Sequence, residues 1–199
     1  LDDVQFQKRS WQQRNKIRVG SDTIWLTVPV LTKGKFEQKI KDVRISADKD
    51  WRSKHLKTIE MAYSKAPYFN SFFPIIERIY QFPSVFLAEL NIFAILEICE
   101  FIGLEPTISR SSQISTSGSN SDKILNLCKK EHATKYFTGA SGKNYLISED
   151  FNYSGIEVEF QNFLMPKYQQ IGHSDFIPNL SIIDVGFNLA QSKILGAIQ

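Results

Sequence analysis

The chain has 199 residues, 42% of them hydrophobic and 23% charged, with a formal net charge of +3. That is the balance of an ordinary soluble globular protein, long enough to bury roughly 70% of its unfolded surface and so to hold a core without disulfides or metal. Ten glycines, 7 prolines and 15 phenylalanines exclude collagen-like, disordered and coiled-coil classes, and no run of about eighteen uncharged apolar residues is available to cross a bilayer.

The chain opens on Leu1 and runs straight into Asp2-Asp3-Val4-Gln5-Phe6, with no visible basic-then-apolar leader. Charge is uneven: residues 1–66 carry a local +7 and residues 67–199 a local −4. A basic first third suits phosphates or carboxylates, and equally suits a solvated lysine-rich face. Two cysteines, Cys99 and Cys128, argue against a disulfide framework and for a reducing, cytoplasmic compartment. Cys128 precedes Lys129 and Lys130, which would favour a thiolate; it also follows Ile124 by one helical turn, which places it on an apolar face.

In chain order, residues 1–18 read as a loop. Ile24 to Val30 is β-branched and aromatic, Ile40 to Ile45 spaces apolar residues among charges, and Lys33-Gly34-Lys35 turns between them, so a hairpin is expected there. From Asp50 the period changes, with Leu56, Ile59 and Tyr63 at helical spacing as far as Lys65. Pro67 stops that helix; the next, Tyr68 to Tyr80, is expected to be interrupted at Pro74. Ser84 is the expected N-cap of a long apolar helix that Gly103 ends.

The second half reads as an α/β unit. Thr107 to Ser109 is a short strand, Ser111 to Asn120 a Ser/Gly-rich loop, Ser121 or Asp122 starts a helix to Glu131, and Thr134 to Phe137 is a strand. Strand, helix and strand imply a parallel crossover with ligands at the strands' carboxyl ends, here Ser109 to Ser112 and Thr138 to Lys143. Thr138-Gly139-Ala140-Ser141-Gly142-Lys143 resembles a phosphate cradle only loosely, and a surface turn explains it as well. Ile156 to Phe160 alternates as a strand. An irregular segment with His173 follows, then helices over Leu180 to Ala190 and Ser192 to Ile198. The fold class is α/β, with α+β as the alternative: a mixed sheet, a hairpin near the N-terminus, central helices and a βαβ-like C-terminal half.

No G-x-S-x-G elbow, H-E-x-x-H or paired C-x-x-C occurs, and three histidines are too scattered for a metal site; neither metal nor cofactor is expected. The unusual passage is Asp2 to Arg18, which packs five cations, two carboxylates, four Gln, Asn15 and two aromatics into seventeen residues. Arginine's planar fork fits carboxylate or phosphate, and Trp11 offers a stacking plane for a base or a sugar.

Leu1 to Ile17, followed by Trp25-Leu26-Thr27-Val28-Pro29-Val30, closely resembles the WbqC-like family of bacterial proteins, commonly encoded among surface-polysaccharide (O-antigen) genes. The resemblance continues through Lys54 to Ile59 with Tyr63, Ala66 to Phe69, Tyr136 to Leu146 and Phe176 to Asp184, essentially the whole chain as one domain, 1–199. Family members ordinarily carry about two dozen residues before this point, so the resemblance implies that Leu1 lies inside the domain and that either the sequence is a fragment or the first strand is missing.

The family's genomic company implies work on a nucleotide-linked or lipid-linked sugar, with acyl or aminoacyl (glycyl) transfer to an amino sugar as one such reaction. That chemistry needs a base for the sugar ammonium, donors for an oxyanion and cations for a diphosphate. The resemblance points to His55 as base, with Arg9, Arg14 and Lys16 holding phosphate, Trp11 and Asn15 orienting substrate and Asp3 positioning a base or an amine. Ser141, Gly142 and Tyr145 would take the second substrate, and Cys128 is an outside choice for a covalent acyl carrier. Without the family, His55 reads as a helix-surface histidine. The alternative function is a non-catalytic module that binds a sugar nucleotide or polysaccharide intermediate. Nucleic acid is not expected as a partner, because no recognisable module accompanies the basic end.

Overall fold

Gly20 and Ser21 fold the basic opening block back along the chain. In the computed structural model, which describes residues 1–47, 50–114, 116–172 and 175–198, strand β1 (Arg14–Val19) pairs antiparallel with β2 (Asp22–Thr27), Val19 lying opposite Asp22. A two-residue hairpin loop requires positive φ, and Gly20 supplies it at 64°. The expected N-terminal hairpin is therefore present, with a different first strand: the segment read as loop is β1. Ile40–Asp42 is instead a short 3-10 turn, and residues 43–45 make only isolated bridges, Val30 to Ile45 and Arg44 to Phe86. Burial decides between the two registers. Ile17 on β1 is 1% exposed in the core, whereas in the Lys-rich segment 33–41 Phe36 is 87% exposed and Ile40 is partly buried, against Phe6, Val43 and Leu87.

Helices α1 (Trp51–Tyr63), α2 (Phe69–Gln81) and α3 (Leu87–Phe101) follow. Then come α4 (Asn120–Lys130), β3 (Lys135–Thr138), α5 (Ser148–Tyr153) and β4 (Glu157–Phe160), and last α6 (Ile182–Asn188) and α7 (Gln191–Ile198). The chain divides into two compact units: Asp3–Thr107 with Met165–Gln199, and Leu1–Asp2 with Ile108–Leu164.

The larger unit is organised by aromatic packing. Ile17, Ile59, Tyr63, Phe72, Ile76 and Phe187 share one core, in which Tyr63 stacks on Phe187 with ring centroids 4.6 Å apart. Asp50 starts α1 by accepting the Ser53 N–H at 3.4 Å. Pro74 does not interrupt α2. Phe72, Ile76 and Ile79 are all buried along that helix, and their burial offsets the backbone hydrogen bond that proline removes. Ser84 lies two residues ahead of the N-cap Phe86, accepting the Phe86 N–H at 3.1 Å and meeting the Glu89 carboxylate at 3.0 Å. Gly103 ends the helix as expected, at φ 80°, with Leu104 N–H donating to Cys99 C=O at 2.8 Å.

The smaller unit carries the parallel pair, β3 with β4, Lys135 opposite Glu157. Its crossover contains α5. Thr107–Ser109 is not a strand, so the parallel connection lies one element later than the sequence suggests. Ile124, Leu125, Cys128, Phe151 and Ile156 form its core. The class is thus mixed α/β, with antiparallel and parallel pairing in two separate two-stranded sheets.

Candidate functional site

Within the larger unit, the chain just ahead of β1 closes over a gap between the hairpin and the helices. The result is a cavity of about 250 Å³ whose polar wall includes Trp11, Arg14, Asn15, Asn91 and Ser181. Its apolar wall comes from β1 and β2 (Ile17, Leu26) and from α2 and α3 (Ile76, Leu90). An apolar hollow with a few convergent polar groups is the usual form of a small-ligand site. Its edge is held by side-chain amides bonded to backbone carbonyls: Asn91 Nδ2 donates to Gln12 C=O at 2.8 Å, and Gln13 Nε2 donates to Val28 C=O at 3.1 Å. Trp11 stands at that edge, 83% exposed.

The charge on this wall is Arg14. Cross-strand pairing sets Lys16 opposite Trp25 and Arg14 opposite Thr27, so both cations flank one indole on the same face of the hairpin. The Arg14 guanidinium carbon lies 4.2 Å from the Trp25 ring centroid and the Lys16 ammonium 5.7 Å. Stacking of this kind fixes the guanidinium plane and leaves its edge free for an anion. Arg14 Nε is buried without a hydrogen-bond partner, and among the described residues no carboxylate pairs with the side chain. An unsatisfied buried donor is unfavourable until something accepts from it.

His55 lies beside the cavity and not on its wall. On α1 it packs edge-on against Trp51 and Tyr80, at centroid distances of 5.3 and 5.7 Å, and both of those residues do line the cavity. His55 Nδ1 is 3.1 Å from the Tyr80 hydroxyl. Burial lowers the imidazole to about 4 and raises the Tyr80 phenol, so at neutral pH the pair is uncharged.

The remaining sequence candidates are dispersed. Asp3 is half-buried and Arg9 is exposed, at φ 61°, with its N–H donated to Gln13 Oε1 at 2.9 Å. Cys128 is buried in the core of the smaller unit, where burial raises its thiol; the flanking lysines do not produce a thiolate-favouring setting. Gly142 is buried, and a Cβ there would lie 2.7 Å from Thr138 Cγ2, so close packing accounts for that glycine. Ser141 and Tyr145 are exposed in the same unit. Ser109 to Ser112 does not follow a strand; Ser111 and Ser112 instead hold the Asp2 carboxylate, through their hydroxyls at 3.0 and 2.8 Å and the Ser112 N–H at 2.9 Å. Burial opposes ionisation of Asp2, but these hydrogen bonds outweigh it and keep the carboxyl below its ordinary range. His173 lies outside the described residues. Among the described residues, no group of three or more His, Cys, Asp or Glu could hold a metal ion, and no helix is long and apolar enough to cross a membrane.

One polar network escapes sequence reading. Asp184 is 0% exposed and accepts from Tyr63 Oη at 2.7 Å, Tyr168 Oη at 2.7 Å and Gln170 Nε2 at 3.0 Å. Gln170 Oε1 accepts from the buried Arg18 at 2.8 Å, and Tyr63 Oη accepts the Arg18 backbone N–H at 3.1 Å. Burial and the Asp184 carboxylate both raise the Tyr63 phenol, so it stays a donor. Ser181, one turn before Asp184, donates its N–H to Lys16 C=O at 2.8 Å. The network therefore anchors the strand that presents Arg14. In the sequence its trace is Asp184 with Asn188 one helical turn on, whose Nδ2 donates to Asp184 C=O at 2.7 Å.

The model of the WbqC-like protein family matches residues 1–195. Across 190 residues the chain is 31% identical to "Uncharacterized protein Rv1507c" of Mycobacterium tuberculosis, covering 94% of this chain and 81% of that one. No solved structure matches.

Proposed function

The chain belongs to the WbqC-like protein family, and from that premise we propose that its cavity binds the phosphorylated end of a nucleotide-linked amino sugar in surface-polysaccharide biosynthesis. The observation that carries the reading is Arg14: a guanidinium whose carbon lies 4.2 Å over the Trp25 ring, its Nε buried and unpartnered, on the wall of a cavity whose edge is an exposed tryptophan. Arg14 supplies a positive group for phosphate on the cavity wall, with Lys16 outside the lining beside the same Trp25 ring, Trp11 a plane for a sugar or base, and Asn15 and Asn91 hydrogen bonds for hydroxyls.

The reaction proposed for this site is acyl or aminoacyl transfer to the sugar amine. The ammonium loses a proton to a base, the free amine attacks the acyl carbon, and the donor's leaving group departs. In this reading His55 is the base, acting beside Tyr80 at the cavity wall.

One observation favours the second reading, binding without catalysis. The cavity lining holds one cation and neither a carboxylate nor a histidine, and His55, at about 4, is a weak acceptor for an ammonium proton. The two separate experimentally. Incubating the protein with amino-sugar nucleotides and acyl or aminoacyl donors, with products read by mass spectrometry, should give an amide whose rate falls by roughly 10²-fold or more in His55→Gln while binding is kept. Undiminished turnover in that variant removes His55 from the mechanism. Ligand binding with no product from any donor supports the binding module.

A further inference from the structure

We propose that the larger unit docks on an anionic lipid bilayer through two loops, residues 7–11 and residues 31–39. The backbone places them together. Gln5 bridges Lys39 in antiparallel sense, Phe6 N–H donates to Gln38 C=O at 2.9 Å, Ile40 N–H donates to Val4 C=O at 3.0 Å, and Gln5 Nε2 reaches Phe36 C=O at 3.1 Å. In an antiparallel pair, the chain leaving residue 6 emerges beside the chain entering residue 38. Both loops therefore project from the same end of the pair.

Their composition is that of a membrane-interface surface. Trp11 is 83% and Phe36 87% exposed, with Leu31 at 42%. Around them Lys8, Arg9, Lys33, Lys35 and Lys39 are all exposed, and among the described residues none of the five forms an ion pair; Glu37 is the one carboxylate in the two loops. Exposed large aromatics cost hydration in water and gain at the headgroup level, where an amphipathic or apolar ring meets the acyl boundary. Unpaired cations beside them gain from the negative surface potential of anionic lipid. Charge complementarity and apolar tips together select a bilayer. Nucleic-acid platforms stack bases along a basic groove, whereas these two exposed rings lie on two separate loops. Trp11 belongs to both the surface and the cavity wall, so docking holds the cavity edge at headgroup depth.

The test is vesicle co-sedimentation of the full chain at about 0.1 M and about 0.5 M salt. Vesicles of phosphatidylcholine alone are compared with vesicles containing phosphatidylglycerol. The expected result is binding to the phosphatidylglycerol vesicles, weak binding to phosphatidylcholine, and loss of binding at the higher salt. Phe36→Ser and the pair Lys33→Glu with Lys35→Glu should each weaken vesicle binding by roughly fivefold or more. The substituted residues are exposed and none of them lines the cavity, so unchanged circular dichroism and unchanged sugar-nucleotide binding in solution show that only the surface was altered. Absence of a preference for anionic vesicles, or wild-type binding by both variants, overturns the proposal. So does displacement from vesicles by single-stranded RNA with Phe36→Ser binding RNA normally. Because sugar-nucleotide binding is read separately, failure of the surface and failure of the cavity reading are distinguishable.

Discussion

Burial of the His55 ring beside Trp51 and Tyr80 couples its protonation to folding. The imidazole is lowered from 6.5 to about 4, so between those values the unfolded chain binds a proton that the folded chain refuses. Stability is therefore full above about pH 6.5 and falls as pH drops towards 4. A depression of this size corresponds to at most about 3 kcal/mol, and partial exposure of the ring reduces the expectation to about 1–2 kcal/mol. Urea unfolding at stepped pH should show that loss in the wild type. In His55→Gln the His55 contribution to the slope disappears; an equally steep loss in the variant would show that other groups govern the acid limb. The same burial explains why the side chain is legible as a candidate and its setting is not. A histidine within Lys54-His55-Leu56-Lys57 looks solvated, and only the distant Tyr80 reveals otherwise.

At the scale of elements, the helices other than α5 follow from periodicity and caps because their signals are local, whereas α5 has six residues and no expected counterpart. Gly103 ends α3, Asp50 starts α1, and α4 begins within two residues of the expected start. The hairpin was misassigned because the charges of the opening block masked its alternation. Asn15, Ile17 and Val19 alternate against Ile24 and Leu26 across Gly20-Ser21, a pattern of two runs separated by a two-residue glycine turn. Pro74 misleads for the opposite reason, because tertiary packing overrides a local rule and α2 runs through it. Packing also governs Gly186 in α6, where an added Cβ would enter the Phe72 ring. Gly186→Ala, although better for an isolated helix, should therefore destabilise by roughly 1–3 kcal/mol in chemical denaturation. A neutral or stabilising result would mean that α2 and α6 separate at little cost.

Across the whole molecule, Trp11, Arg14 and Asn15 stand out in the sequence because cations, aromatics and amides crowd one short block, and the structure brings these three to the cavity wall. The residues drawn from the second half, Cys128, Ser141, Gly142 and Tyr145, fall in the smaller unit. The Asp184 network was hidden because its partners are far apart in sequence, Tyr63 lying 121 residues away. A single carboxylate among apolar neighbours carries no mark of two tyrosine donors. The central claim is that the cavity takes a phosphorylated sugar through Arg14, and isothermal titration of the chain with a uridine-diphosphate amino sugar tests it most directly. The expected result is saturable one-site binding that weakens by roughly 10- to 100-fold in Arg14→Ala, in keeping with loss of a charge-assisted contact, with the fold intact by circular dichroism. Equal affinity in the wild type and Arg14→Ala, or no binding of any amino-sugar nucleotide, would contradict it.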